Sequence, residues 1–429
     1  MGPLRRLYFR VEAESPLLLG RAESQNNYLE TQKVLPGAAL RGALAEILLA
    51  ECRAREYIKN HEVCPSEFRE GCLFYKIFCV EPVPFFGPAY PSAGRQSFPL
   101  PLTACTCKAH PGFRGHDGHG IFDTLIRRMA FEEALDKNLK LAFFYWPPRC
   151  PTCGGRTEQA KGFYEQDAEG AFLSAQPKTR RLSHTAINRA RGVAEDELLY
   201  TLETISPWLE VRGTFGSATH LDKARFFGHA IVEEGRRALL AEGLRRIKWL
   251  GRGITRGLGR VRVEPLSEKV SQEESLEERI ERFNELFRAE RELYYKIGGE
   301  SSRRFLNLRE APQDEWYFTV DLLSPAILTA EGLPTLRPEL GLEGAELCRA
   351  FARPEVASGW FAAARLPRST RLATAQGSVF VYRAKAGADR SKILARLAAL
   401  EMEGLGSERQ RGYGQVIICS PFHTEVEPK

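Results

Sequence analysis

Four of the chain's ten cysteines have spacing that suits metal chemistry. Cys150-Pro-Thr-Cys153-Gly-Gly has the form of a zinc knuckle, in which glycines let backbone amides turn toward two thiolate sulfurs. Cys105-Thr-Cys107 lies upstream. Together Cys105, Cys107, Cys150 and Cys153 would give tetrahedral zinc four ligands and no open position, which is a structural site. His110, His116 or His119 could replace one upstream cysteine, and Cys64, Cys72 and Cys79 compete with them. A redox role for the CxxC pair needs a βαβ setting that the flanking sequence does not offer.

A second chemistry lies in two glycine-rich loops. Leu250 to Val261, LGRGITRGLGRV, returns as Leu405 to Val416, LGSERQRGYGQV, with Leu-Gly, four variable residues, Arg-Gly, an apolar residue, Gly, one residue and Val in common. This frame is an internal repeat. Glycines at Gly251, Gly253, Gly257 and Gly259, and at Gly412 and Gly414, allow positive φ and close approach to a ligand. Arg252, Arg256 and Arg260, with Arg409 and Arg411, offer forked donors to phosphate oxygens. A dinucleotide fingerprint follows a strand and opens a helix. Here a helix precedes each loop and a strand follows, which rejects a nucleotide cofactor and leaves a polyanion such as nucleic acid, or a plain helix-to-strand connection.

The chain, at 429 residues, is long enough for two or three domains. Net charge is only +6, so any nucleic-acid surface must be local. The opening residues alternate polar with apolar, unlike a signal peptide, and no apolar run is long enough for a bilayer. With ten cysteines and no leader, a reducing cytoplasmic location with no membrane contact is expected.

The elements that position these residues also repeat. Arg6 to Leu19 aligns without gaps to Glu315 to Leu328, sharing Tyr, Phe, Val, Ser, Pro and Leu. Pro36-Gly37 leads into a helix over Ala38 to Glu51, with Arg41 in its first turn. Strand, helix, long middle, helix, glycine loop and strand suggest a βαββαβ unit. The expected fold is therefore α+β, two tandem ferredoxin-like (RRM-like) domains with a zinc-binding insertion in the first. The domains span 1–266 and 313–429, with the insertion over about 52–178 and a charged helical linker over 267–312, broken at Gly298 to Ser302. Further helices are expected over Phe122 to Leu135, Ala345 to Arg353 and Ser391 to Met402, a strand over Gly377 to Tyr382, and irregular packing over Glu51 to Leu100. Lys178, Arg180, Arg181, Arg189 and Arg191 concentrate positive charge, with apolar Leu198, Leu199 and Tyr200 beside it. Such a segment, read as a thumb over about 178–205, could wedge between unstacked bases, or be a solvated loop before a core strand.

Several motifs coincide with one family. PGAALRG at Pro36 to Gly42, His184 to Ile205, GITRGLGRV and RQRGYGQV resemble motifs of the RAMP superfamily of CRISPR effector subunits, built from ferredoxin-like RNA-binding domains. Two tandem domains plus the cysteine insertion look most like the type III-D subunit that caps the guide RNA five-prime handle. The resemblance implies a cytoplasmic ribonucleoprotein of antiviral defence, with guide (CRISPR) RNA, the large polymerase-like subunit and backbone RAMP subunits as partners and target RNA met indirectly. Carried over by position, Arg41 and both glycine loops would contact handle phosphates. The Lys178 to Tyr200 segment would displace a base.

Backbone relatives that cut target RNA carry an aspartate in the loop that is here Arg21 to Lys33, and this loop has none. Glu23 and Glu30, with Glu331 in the second half, are the carboxylates available there. No target cleavage is expected, and the chain reads as a non-catalytic subunit. The alternatives are a guide-processing nuclease using His184 as general acid or base, and a protein-interaction module without RNA contact.

Overall fold

The computed structural model describes residues 2–20, 27–54, 61–92, 94–114, 118–136, 148–166, 172–188, 190–212, 220–266, 274–297, 315–361 and 366–424. Glu23, His116, Arg189, the expected start of the linker helix at 267–273 and its expected break at Gly298 to Ser302 lie outside them. Among the described residues no helix is long and apolar enough to cross a membrane.

The first half contains β1 (Leu4–Ala13), α1 (Gly37–Ala50), β2 (Phe85–Phe86), α2 (Leu125–Asp136), the long hairpin β3 (Phe172–Asn188) and β4 (Val193–Arg212), β5 (Arg225–Glu233), α3 (Arg237–Arg245) and β6 (Val261–Pro265). After α4 (Leu276–Ile297) come β7 (Trp316–Leu322), β8 (Ala345–Phe351), β9 (Pro354–Ala357), β10 (Arg371–Thr374), β11 (Val379–Ala384), α5 (Arg390–Glu403) and β12 (Val416–Ile418).

Alternation of Leu7, Phe9, Val11 and Ala13 puts one face of β1 into the core. That strand lies inside an antiparallel sheet of order β6-β1-β5-β2, in which Tyr90–Ser92 continues alongside β5. Leu40, Leu44 and Leu48 of α1 and Leu240 and Leu244 of α3 cover this face, each large side chain contributing roughly 1.5–3 kcal/mol on burial. The second sheet has the matching order β12-β7-β11-β8. The register repeats as well, since Val11 faces Val263 and the aligned Val320 faces Ile418.

The second half is not a plain copy. Ala345 to Arg353, expected as a helix, is strand β8, paired to β11 with a register shift between Leu347 and Arg349. Edge pairing overrides the local helix preference of this alanine-rich stretch. Among the described residues no helix joins β7 to β8, and the sheet is covered from elsewhere. Ile280, Phe283, Phe287 and Tyr294 of α4 and Leu125, Met129, Ala130 and Ala134 of α2 share one core with β7, β11 and α5. The expected helix over Phe122 to Leu135 begins later, after the strand Ile121–Asp123. The insertion in the first half thus supplies a helix to the second. Arg291 pairs with Glu133 at 2.7 Å, Arg127 with Glu290 at 3.4 Å and Arg349 with Glu132 at 2.7 Å. Glu51 to Leu100 is also more regular than expected, with short helices at Ser66–Arg69 and Leu73–Phe78 and strands at Phe85–Phe86, Tyr90–Ser92 and Ser97–Pro99.

His423 fastens the same junction. Its Nδ1 meets Asp123 of the insertion, and its Nε2 lies 2.5 Å from Asp321 on β7. Burial alone would lower its pKa, but Asp321 and Asp123 outweigh that and hold it up at about 10. A group raised in the folded state stabilises fully below its unfolded value of 6.5 and loses that contribution as pH climbs to about 10. The melting temperature of the wild-type chain should therefore fall across that window relative to His423→Gln, and parallel pH profiles for the two would contradict the buried charge.

Both glycine loops close on the residues after the first strand of their half. Arg252 N donates to Leu18 O at 2.9 Å and Gly259 N to Pro16 O at 2.9 Å. In the second copy Ser407 N donates to Ile327 O at 3.0 Å and Gly414 N to Pro325 O at 2.8 Å. A Cβ on Gly414 would lie 1.8 Å from Leu405 O, whereas Gly257, also at positive φ, has nothing within 4 Å. Gly257→Ala should cost about 1–2 kcal/mol for its left-handed backbone, and Gly414→Ala distinctly more, roughly 3 kcal/mol or above. Denaturant unfolding of both variants checks this order.

Candidate nucleic-acid interface and metal centre

In the first loop, Gly253 and Gly257 adopt left-handed conformations on either side of one tight turn, Ile254–Arg256. That turn aims Arg256 at the turn-side half of the long hairpin, where its Nη1 donates to Tyr200 Oη at 2.6 Å. Tyr200 stands opposite His184 in the hairpin register, and the two rings stack at 5.3 Å. Leu258, between the last two glycines, is buried with Leu18 and Leu202 and with part of Tyr200, so it pegs the hairpin to the loop. Gly251 and Gly259 serve close approach: a Cβ on either would meet Leu18 O at 2.4 Å or Leu250 O at 2.5 Å. The Arg252 guanidinium lies against Gly20. Arg260 is engaged by Glu14 at 3.0 Å, which also holds Arg262 at 2.9 Å.

Lys178, Arg180, Arg181 and Arg191 are exposed along the hairpin. The Arg181 guanidinium sits 5.7 Å over the Tyr28 ring, beside an open cleft of 590 Å³ lined by Asn27, Tyr28, Arg181, Ser183, Leu199 and Thr201. Leu199 is 60% exposed, and Ile187 and Val193, which flank the turn, are 64% and 56% exposed. These last two form the apolar end of the hairpin. The sequence reading missed them because only the position of the turn, set by Asn188 Oδ1 accepting from Ala190 N and Arg191 N, reveals which residues lie at the tip.

The second loop has the same backbone in a different setting. Its glycine Gly412 abuts the start of α1, where a Cβ would meet Phe86 O at 2.4 Å and Gly37 Cα at 3.3 Å. Arg409 lies over the Phe85 ring at 5.6 Å and donates to Glu403 O at 3.2 Å. Arg411 pairs with Glu408 and leans over Tyr413 at 5.7 Å. Arg41 rests 5.0 Å over Phe78. Burial, then the like charges of Arg368 and Arg411, hold its guanidinium below the ordinary range. Arg41 and the second loop are therefore neighbours, which linear order does not reveal. Glu331 sits in the tight turn between two short strands at φ +50.

The metal-ligating residues converge, with one exchange. Cys107, His119, Cys150 and Cys153 place their ligand atoms all within 4.8 Å of one another and could hold a metal ion. Cys107 Sγ lies 3.7 Å from Cys153 Sγ, and Cys150 Sγ 3.5 Å from His119 Nδ1. Burial opposes the Cys150 thiolate, but the amides of Cys153 and Thr152 and the ring of His119 outweigh it and bring the thiol down to about 6. Cys105 does not join them. It shares the strand Ala104–Cys107 with Cys107, but its sulfur is not among the ligand atoms that gather. It lies instead near Asp123 and Thr124, where burial pushes its thiol up to about 11. His119 takes the fourth place, its ring stacked on His110 at 4.2 Å. Of the competing cysteines, Cys72 caps the helix Leu73–Phe78 by accepting from Tyr75 N, and Cys64 is a neighbour of Cys52 and Cys72.

The model of the RAMP superfamily matches residues 10–262, and the model of CRISPR-associated protein (Cas_Cmr3) matches residues 262–421. No curated protein matches the chain. Among solved structures, a chain of the type III-B Cmr-beta complex bound to cognate target RNA is 11% identical, with 96% of each chain covered and a TM-score of 0.41. A chain of that complex bound to cognate target RNA and AMPPnP is 12% identical, with 87% of this chain and 86% of that chain covered and a TM-score of 0.39. A chain of a type IV-B CRISPR complex is 10% identical, with coverages of 63% and 94% and a TM-score of 0.28. These scores are too low to add to the family match.

Metal content of the purified chain tests the cysteine cluster. One bound metal is expected at the group of four candidate ligands found among the described residues. Cys107→Ser, Cys150→Ser and His119→Ala should each lose it, while Cys105→Ser keeps it. Chelation should lower the melting temperature, and an unchanged value would contradict a structural metal.

Proposed function

Because the chain belongs to the RAMP superfamily, we propose that it is a non-catalytic, RNA-binding subunit of a type III CRISPR ribonucleoprotein, of the III-D kind, that caps the five-prime handle of the guide RNA. The observation that carries this reading is the first glycine loop. Arg252 and Arg256 stand on a rigid backbone clasp beside a hairpin with exposed cations and an apolar end, the combination that grips phosphates and parts bases. The two sheets of matching order are read as tandem ferredoxin-like domains around that clasp.

Zinc fits the Cys107, His119, Cys150 and Cys153 set. Three thiolates and one imidazole suit it, and the 3.7 Å sulfur separation agrees with the roughly 3.8 Å between two sulfurs bound at about 2.3 Å to a tetrahedral ion. With every ligand supplied by the protein, bound zinc would be structural. Cys107 on its strand would then be joined to the Cys150–Cys153 turn, steadying an insertion that also supplies α2 to the second half. The partners in this reading are the guide RNA, the large polymerase-like subunit and the backbone RAMP subunits, in the cytoplasm.

His184 lies against Tyr200 and near Arg256, and in this reading it contacts phosphate or base. The test is fluorescence anisotropy of the full chain with an end-labelled repeat-derived RNA across a salt series. Substituting Arg252 and Arg256 by alanine should weaken binding and reduce the log–log salt slope by about 0.7 for each phosphate no longer held. Unchanged affinity and slope would favour the interaction-module reading. Shortening of the same RNA that His184→Ala abolishes would overturn the non-catalytic assignment.

A further inference from the structure

Two of the chain's five tryptophans, Trp208 and Trp249, are exposed in the first half, and the interface described above uses neither. A row of charged side chains runs between them. Trp208 of β4 stands opposite Lys223 in the short strand His220–Lys223, and Lys223 Nζ reaches Glu12 at 2.9 Å. Glu12 on β1 faces Arg262 on β6, and Arg262 Nη2 is held by Glu14 at 2.9 Å. Glu14 also holds Arg260 at 3.0 Å, and Arg260 bridges to Trp249. Opposed residues on neighbouring strands point to the same face, as do residues two apart on one strand. The two indoles therefore stand at the ends of one continuous surface, laid where β1 ends and β6 begins.

This row presents its cations outward. The side chains of Lys223, Arg262 and Arg260 are 52%, 56% and 64% exposed, against 14% and 25% for Glu12 and Glu14. The carboxylates lie beneath and fix the cations above them. Burial would raise the Glu12 carboxyl, but Lys223 first, then Arg225 and Arg262, outweigh it and bring it below its usual range. An arginine bonded on one edge keeps donors on the other, and a cation already held in place loses less freedom when a phosphate arrives. The second half has no such row. By the two internal alignments Glu14, Trp249, Arg260 and Arg262 correspond to Leu323, Gly404, Gln415 and Ile417, and Leu323 and Gln415 are buried. The glycine closure therefore does not require these side chains. Tryptophan is characteristic of contact surfaces, and outward cations select an anionic partner. An acidic protein would answer the cations alone. A single-stranded polynucleotide supplies both phosphates for the cations and open ring faces for the indoles.

We infer that this row is a track for single-stranded RNA, in which Lys223, Arg262 and Arg260 take backbone phosphates while Trp208 and Trp249 stack on unpaired bases at its two ends. The inference rests on the RNA-binding reading above and extends it from the glycine loop and the long hairpin to a further face of the first half.

The experiment is anisotropy of the full chain with the same end-labelled RNA, comparing wild type, Trp208→Ala, Trp249→Ala, Trp249→Phe, Lys223→Gln, Arg262→Gln and the Arg252/Arg256 alanine variant. Matched melting temperatures confirm folding. Each tryptophan-to-alanine change should weaken binding about tenfold, and RNA-dependent quenching of tryptophan fluorescence should shrink with it. Trp249→Phe, which keeps a ring, should recover most of the loss. Lys223→Gln and Arg262→Gln should each lower the log–log salt slope by about 0.7. Annealing the RNA to its complement, which occupies the ring faces, should remove the dependence on both indoles. If these variants bind like wild type while the Arg252/Arg256 variant weakens, the track is overturned and the RNA-binding reading stands. Retained RNA affinity with loss of a neighbouring subunit would likewise overturn it in favour of a protein surface. No RNA binding by the wild-type chain, alone or with its partner subunits, would sink both readings.

Discussion

The structure depends on a backbone closure made twice. After the first strand of each half, two carbonyls point away from the sheet, Pro16 and Leu18 in one half and Pro325 and Ile327 in the other. A buried carbonyl left without a donor costs of order 1–3 kcal/mol. Amides of the distant glycine loop satisfy all four. The approach is so close that a Cβ at Gly251 or Gly406 would meet the Leu18 or Ile327 carbonyl at 2.4 or 2.3 Å. Glycine at these positions is a steric condition for the fold. It also fixes where the loop arginines emerge, because the turn between the glycines has little freedom once its ends are bonded.

The same closure then serves two surroundings. In the first half the turn faces a long hairpin and presents Arg256 beside Tyr200. In the second it is pressed against the start of α1, where Gly412 nearly touches the backbone of Phe86 and Gly37. The halves are further joined by exchange of parts. Helix α2 leaves the first half to cover the sheet of the second, and the buried His423 sits between Asp123 and Asp321, one from each. A charged imidazole between two carboxylates in a dry setting tolerates little displacement, since separating the pair would leave buried charge unanswered.

What the residues announced and what they concealed divide along a physical line. Periodicity and spacing are local properties. The internal repeat, the helix after Pro36-Gly37 and the gathering of Cys107, Cys150 and Cys153 were all legible in them. Conflicts arose where a distant partner decided the outcome. Ala345 to Arg353 became a strand because β11 offers an edge. His119, and not Cys105, stands with the other three candidate ligands, because the fold sets Cys105 beside Asp123 and Thr124.

The sequence by itself therefore determined the glycine closures, their paired arginines and the three cysteines of the candidate metal cluster, since each follows from backbone freedom or ligand spacing within a short stretch. Only the tertiary structure decided the fourth ligand, the helix lent by one half to the other, and the meeting of Arg41, Arg368 and Arg411 at the junction. These depend on burial and charge summed over residues far apart in the chain. No linear pattern carries that information, because it exists only once the two sheets have packed.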